Sequence, residues 1–321
     1  MIALLLAPLA LPWFLPPLAR RTVARVRPEI ALVTVTCATA TLGVGVVACL
    51  GALLLPLALT IPPVTALAEL IEPLDAGPRL PAMAVSALAA GTLALATVQG
   101  LRKAMREAAR LRVAHGRTDG LPEAGGLCVV ADPHPDAFAL PGGLRREDRI
   151  VVTTGMLRAL GPAEREALLA HERAHLAAKH HFYLGAAQLA GWCHPALAAV
   201  ASQVSFAAER AADEAAARHC GDRAITAQAV GRAALAANRT GSHSGTPALT
   251  PGVATGPVPA RVRALLVQAP VRRVVPALLA IVLVCATAGT LSLAGAAWLH
   301  HGIETAQGER PSDGSPSPTA R

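Results

Sequence analysis

Residues 163–179 read AEREALLAHERAHLAAK, and within them stand His171, Glu172, Arg173, Ala174 and His175. On a helix, positions four apart lie one above the other, so the two imidazoles can aim at one point. Two nitrogens there make half of a zinc site. Glu172 projects beside the same point as a base for the attacking water, the division of labour of an H-E-x-x-H pattern. The flanks fit a helix. Gly161-Pro162 reads as a start with proline at the first position, and Glu164 and Glu166 set negative charge on the positive dipole end. The bland alternative, in a chain with 11 histidines, is a surface helix that merely carries these three residues.

The surroundings of that helix read as membrane protein. Of 321 residues, 53% are apolar, with only 2% aromatic and 16% charged, which is not the balance of a soluble enzyme. Four uncharged apolar runs occupy residues 2–19, 30–61, 80–100 and 274–299. About 20 helical residues cross the hydrocarbon layer, so each run is read as a transmembrane helix. The first is the shortest and holds Pro8, Pro12, Pro16 and Pro17, which implies a kinked or tilted helix. No basic residue precedes it and Arg20-Arg21 follow, which favours a retained span over a cleaved signal peptide.

Arginine placement gives an orientation. The first connection holds Arg20, Arg21, Arg25 and Arg27, whereas the second holds Glu69, Glu72 and Asp75 against Arg79 alone. By the positive-inside rule the first is cytoplasmic and the second outside, so both termini lie outside. The third connection begins with Arg102, Lys103, Arg106, Arg110 and Arg112 and ends with Arg272-Arg273, in accord with a cytoplasmic position. The net charge of +8 thus has a membrane explanation. No compact basic patch with interleaved aromatics points to a nucleic-acid partner. A transporter is disfavoured because the spans carry no charged residue to mark a substrate path. The six cysteines include no C-x-x-C pair and read as reduced, packed thiols.

Only residues 101–273 are long enough to fold in water. A basic amphipathic helix over 101–114 is expected to continue out of the third span. Short β-like runs follow at 127–130, 138–140 and 149–153, then a helical turn at 154–160. Residues 138–140 read equally as a core strand or as an edge strand that pairs with substrate backbone. His180, His181 and His194 are set aside as ligands: adjacent histidines diverge by about 100° on a helix, and His194 before a proline suits a turn. A second helix is expected over 203–220, stopped by Gly221, with Glu209 and Asp213 on one face. Packed on the first helix, it would bring Glu209 to the metal and let Asp213 hydrogen-bond a ligand imidazole; the alternative is a solvated face shared with Arg210, Glu214 and Arg218. His180, His219 and Tyr183 are candidates for steadying the oxyanion. The Gly/Pro/Thr-rich stretch 240–259 reads as a linker rather than a lid.

With these residues in place the chain resembles the integral-membrane zinc peptidases of the BlaR/MecR antirepressor type. The resemblance rests on four spans, a soluble insert before the last, HERAH at 171–175, Trp192-x-His194-Pro195 and Glu209-x-x-x-Asp213. The related HtpX and CAAX prenyl protease family shares the histidine motif, the downstream glutamate and the aspartate four residues later. The resemblance implies one Zn2+ per chain on His171, His175 and Glu209, Glu172 as general base and Asp213 as partner of a ligand. It implies a protein or peptide substrate, with a cytoplasmic transcriptional repressor or the chain itself as regulatory targets. The β-lactam sensors carry a penicillin-binding domain, whereas here only residues 300–321 follow the last span, too few for one.

The expected fold is therefore mainly α, with a cytoplasmic α+β zincin-like metallopeptidase domain between the third and fourth transmembrane helices. Residues 1–100 hold three spans, 101–273 the peptidase domain, 274–299 the fourth span and 300–321 a short extracytoplasmic tail. The expected activity is endopeptidase cleavage at the cytoplasmic membrane face. A silent receptor or scaffold and an HtpX-like quality-control protease are the alternatives.

Overall fold

The computed structural model describes residues 8–54, 57, 79–143, 146–240, 257–267, 279, 281–283, 286 and 287. A 3-10 turn at Leu11–Phe14 leads into α1 (Leu15–Arg25), followed by α2 (Pro28–Ala52) and the 40-residue α3 (Arg79–Thr118). Four strands come next: β1 (Glu123–Ala124), β2 (Leu127–Val130), β3 (Ala137–Leu140) and β4 (Arg149–Thr153). The remaining helices are α4 (Thr154–Ala159), α5 (Pro162–Ala177), α6 (His180–Cys193), α7 (Pro195–Cys220), α8 (Arg223–Thr240) and α9 (Val258–Leu266). The described chain is mostly helical with one small sheet.

Two helices, α2 and residues 83–118 of α3, are long and apolar enough to cross a membrane by length and composition. Half of the most apolar window of α2 is buried inside the protein, but only 17% of that of α3. Leu88, Leu95, Val98 and Leu101 of α3 are all exposed. The expected first span overlaps α1, which runs on through Arg20, Arg21 and Arg25 instead of ending before them. Its Leu15, Ala19 and Val23 are buried against α2, α6 and α7. Residues 1–7, the connection 62–78 and the tail lie outside the described residues, as does most of the fourth apolar run. Of that run, Ile281 is buried in the same cluster as α1 and α7.

The sheet runs in the order β1-β2-β4-β3, with β2 and β4 parallel and the other two pairs antiparallel. The central strand β4 is apolar on both faces. Ile150 and Val152 pack with α4, α5, α8 and α9, while Val151 packs with Leu140 and Ala114 of α3. A run of consecutive β-branched residues is the pattern such a doubly covered strand requires. The C-terminal end of α3 thus closes one face of the sheet, joining the apolar helix to the domain that carries the histidines. β3 lies at the sheet edge beside α5.

The start of α5 is held as its sequence suggests. Glu164 reaches back to accept the Gly161 N–H at 2.8 Å, and Arg232 of α8 contacts both its carboxylate oxygens at 2.9 Å. Burial opposes ionisation of Glu164, but the Gly161 N–H and Arg232 outweigh it and hold the carboxyl below its ordinary value. Glu164→Ala is expected to lower the unfolding free energy by about 1–2 kcal/mol in denaturant titration. The carboxylate's contribution is complete above the unfolded pKa and is lost as pH falls through the lower folded value. The stability difference between wild type and Glu164→Gln should shrink over that acid range.

Candidate metal centre

Helices α5 and α7 pack on each other with a gap between them. Both bury small residues, Ala167 and Ala170 on α5 and Ala212 and Ala216 on α7. Into that gap α5 projects His171 and His175, and α7 projects Glu209 and Asp213; all four are no more than 2% exposed. Glu172 is fully buried beside them.

One ligand atom from each of His171, His175 and Glu209 lies within 4.8 Å of the others. The two Nε2 atoms are 3.1 Å apart, and Glu209 stands 3.5 Å from His171 Nε2 and 3.7 Å from His175 Nε2. A tetrahedral zinc with ligands about 2.0–2.2 Å away spaces its donors roughly 3.3–3.6 Å apart, so these residues fit that metal. Asp213 Oδ1 stands 3.1 Å from the other ring nitrogen of His171. The solvated-face alternative for the two acids therefore does not apply: Glu209 and Asp213 turn inward, whereas Arg218 of the same helix is exposed and contacts Glu29 of α2.

Two further side chains belong to the site. Arg261, from α9 beyond the expected linker, is fully buried. Its Nη1 lies 2.8 Å from Glu209 Oε2, and its Nε and Nη2 donate to the two oxygens of Asp213 at 2.8 and 2.7 Å. That oxygen of Glu209 also stands 3.5 Å from His171 Nε2, while Oε1 stands 3.7 Å from His175 Nε2. Nothing in the sequence marks Arg261, one of two arginines in the short helix VPARVRALL. His180 is the second addition: its Nδ1 lies 2.8 Å from His175 Nδ1, and it is 2% exposed.

The adjacent His180 and His181 diverge on a helix, as expected, but they stand at the start of a new one: α5 ends at Ala177, Lys179 adopts the left-handed conformation at φ 51°, and α6 begins at His180. The new helix starts with its first side chain turned back on His175. His181, His194 and His219 stay apart from the site. His181 packs against Phe182, and His194 caps α7 through the Ala196 N–H. His219 is exposed near Glu166, and Tyr183 packs on the cluster formed by α1, α2 and α7. Of the three oxyanion candidates only His180 reaches the site, and it does so on the side of His175 away from Glu209.

The electrostatics favour a cation. Glu172, Glu209 and Asp213 place three carboxylates against the single guanidinium of Arg261, all buried. Burial opposes protonation of His171, but the Asp213 and Glu209 carboxylates overcome it and raise its pKa to about 9. Burial, His171 and His180 push His175 well below its ordinary value. Burial also lowers the Arg261 pKa, an effect outweighed by Glu209 and Asp213, which hold the guanidinium charged. A divalent cation between the imidazoles and Glu209 would supply the positive charge this cluster lacks.

The model of peptidase family M48 matches residues 101–191, a stretch that runs from α3 through the sheet and α5 almost to the end of α6. Members of that family are zinc metallopeptidases, and the similarity supports a metallopeptidase domain here. The match stops short of Glu209, Asp213 and Arg261. No curated protein and no solved structure matches the chain significantly.

Removing Arg261 leaves two buried carboxylates without their shared cation. Arg261→Ala is expected to destabilise the metal-free protein by about 3–5 kcal/mol in denaturant titration. Arg261→Lys, which keeps the charge but not the planar fork, should recover only part of that loss.

Proposed function

We propose that this chain is a membrane-embedded, zinc-dependent endopeptidase that hydrolyses peptide bonds at the cytoplasmic face of the bilayer. The observation that carries the reading is the buried convergence of His171, His175 and Glu209 beside Glu172, with donor spacings suited to zinc. The similarity of residues 101–191 to peptidase family M48 supports it.

In this reading His171, His175 and Glu209 hold one Zn2+. Bound there, zinc supplies Lewis-acid polarisation of the scissile carbonyl and makes water acidic enough to attack near neutral pH. Glu172 is the general base: its carboxylate takes the proton from the attacking water and returns it to the departing amine. Asp213 orients the His171 ring, and Arg261 fixes the carboxylates of both Glu209 and Asp213. The edge strand β3, beside α5, offers one unpaired side of its backbone to an extended peptide, a mode of binding that needs no particular side-chain sequence.

The membrane part of the proposal keeps four crossings with both termini outside. It is supported by the length and apolar surface of α2 and α3 and by the basic residues that flank them. An apolar α3 window that is only 17% buried suits lipid far better than water. The proposed substrates are a cytoplasmic repressor or the chain itself, cut in response to a signal.

The test is zinc content and cleavage of a disordered protein, measured together on the detergent-purified chain. Wild type should hold about one zinc and cleave. Glu172→Ala should keep the metal and lose at least about 100-fold in rate, and His175→Ala should lose both. Wild type without zinc would refute the proposal.

A further inference from the structure

We propose that His180 is a positioning residue for the metal centre: its unprotonated Nδ1 accepts the Nδ1–H of His175 and so fixes the tautomer and ring orientation with which His175 meets the metal. The inference rests on the zinc reading above and concerns a residue outside the expected ligand set.

The geometry leaves one arrangement of protons. His175 Nε2 faces His171 Nε2 at 3.1 Å and Glu209 Oε1 at 3.7 Å, so it is the nitrogen that must keep its lone pair for a cation. A neutral imidazole carries its proton on the other nitrogen, here Nδ1. The partner of that nitrogen is His180 Nδ1, 2.8 Å away, which must therefore accept, and the His180 proton sits on Nε2. His171 follows the same rule with a different acceptor, since its Nδ1 faces Asp213 Oδ1 at 3.1 Å. Each imidazole thus has a group behind it, one a carboxylate and the other a second imidazole.

The fold delivers His180 through a local break. Ala178 and Lys179 still donate to carbonyls of the last turn of α5, at Ala174 and Leu176. Lys179 then turns left-handed, and the Phe182 N–H donates to its carbonyl as α6 begins. A non-glycine residue in that conformation is strained, and the strain is offset where the surrounding structure holds it. Had α5 continued as one helix, residue 180 would stand about 140° around it from His175. The break instead sets the two rings 4.7 Å apart, edge to face, with both side chains shielded from water.

Removing such a partner ordinarily weakens metal affinity by about 10–100-fold without removing a ligand. The experiment measures zinc affinity of the full chain by chelator competition, with the visible spectrum of the Co2+-substituted protein as a second readout. His180→Ala and His180→Phe lack an acceptor and should bind zinc about 10–100-fold more weakly, with altered cobalt bands. His180→Asn, whose side-chain carbonyl can accept the same proton, should return to within several-fold of wild type. Helix content by circular dichroism confirms that each variant is folded. If Phe restores affinity and Asn does not, His180 acts by packing and the proposal fails. It also fails if all three variants match wild type, or if Asn is as weak as Ala. Wild type without zinc would refute the peptidase reading itself; zinc-binding wild type with a flat His180 series would refute only this inference.

Discussion

Three carboxylates share a sealed space with one guanidinium, and most of what is unusual in this structure answers that imbalance. Glu172, Glu209 and Asp213 are each no more than 2% exposed, and so is Arg261. Charges taken out of water are costly unless they are paired with good geometry. Arg261 answers part of the deficit by bridging Glu209 and Asp213 at 2.7–2.8 Å. The rest falls to whatever occupies the space between the imidazoles: a proton on His171 when no metal is there, or a divalent cation. Affinity for a cation is in this sense a property of the whole buried cluster, of which the nearest donor atoms are only a part.

The scaffold serves that cluster in ways that differ in how plainly the sequence announces them. The run at 149–153 reads as a strand because its β-branched residues have no other good use, and β4 occupies those residues. Helix α5 is legible because two periodicities coincide: the spacing of its histidines and the Gly-Pro start whose N–H Glu164 accepts. Gly221, at φ 68°, ends α7 where a residue without a side chain was expected to. Helix α7 starts at Pro195 rather than near 203, with proline in its first turn and His194 as its cap.

The site was half legible for a physical reason. Residues that act from one helix are related by its geometry, so His171 and His175 can be paired on paper. Arg261 meets Asp213 across 48 residues of chain, and no local rule links the two. The divergence of adjacent histidines on a helix sets His180 aside as a ligand, but that rule says nothing of the turn at Lys179 that brings the first of the pair back to His175. Lys179 gives no composition signal for its left-handed turn, because neither glycine nor asparagine stands there. The extent of α1 through Arg20, Arg21 and Arg25 shows the same limit. Charge patterning marks where a membrane boundary is expected but does not stop a helix that has a core to pack against.

Helix α3 runs unbroken for 40 residues, about 60 Å at the usual rise. Its apolar half faces outward, and its far end is built into the sheet through Ala114 and Leu140. With the apolar half in a bilayer, as proposed, the remainder would be a stiff post. The stretch from Leu101 to Ala114 would set the sheet about 20 Å beyond the edge of the hydrocarbon layer. A post of fixed height would work as a measuring rod. In a membrane-tethered target, the bond to be cut would then be chosen as much by its distance from the bilayer as by the side chains around it.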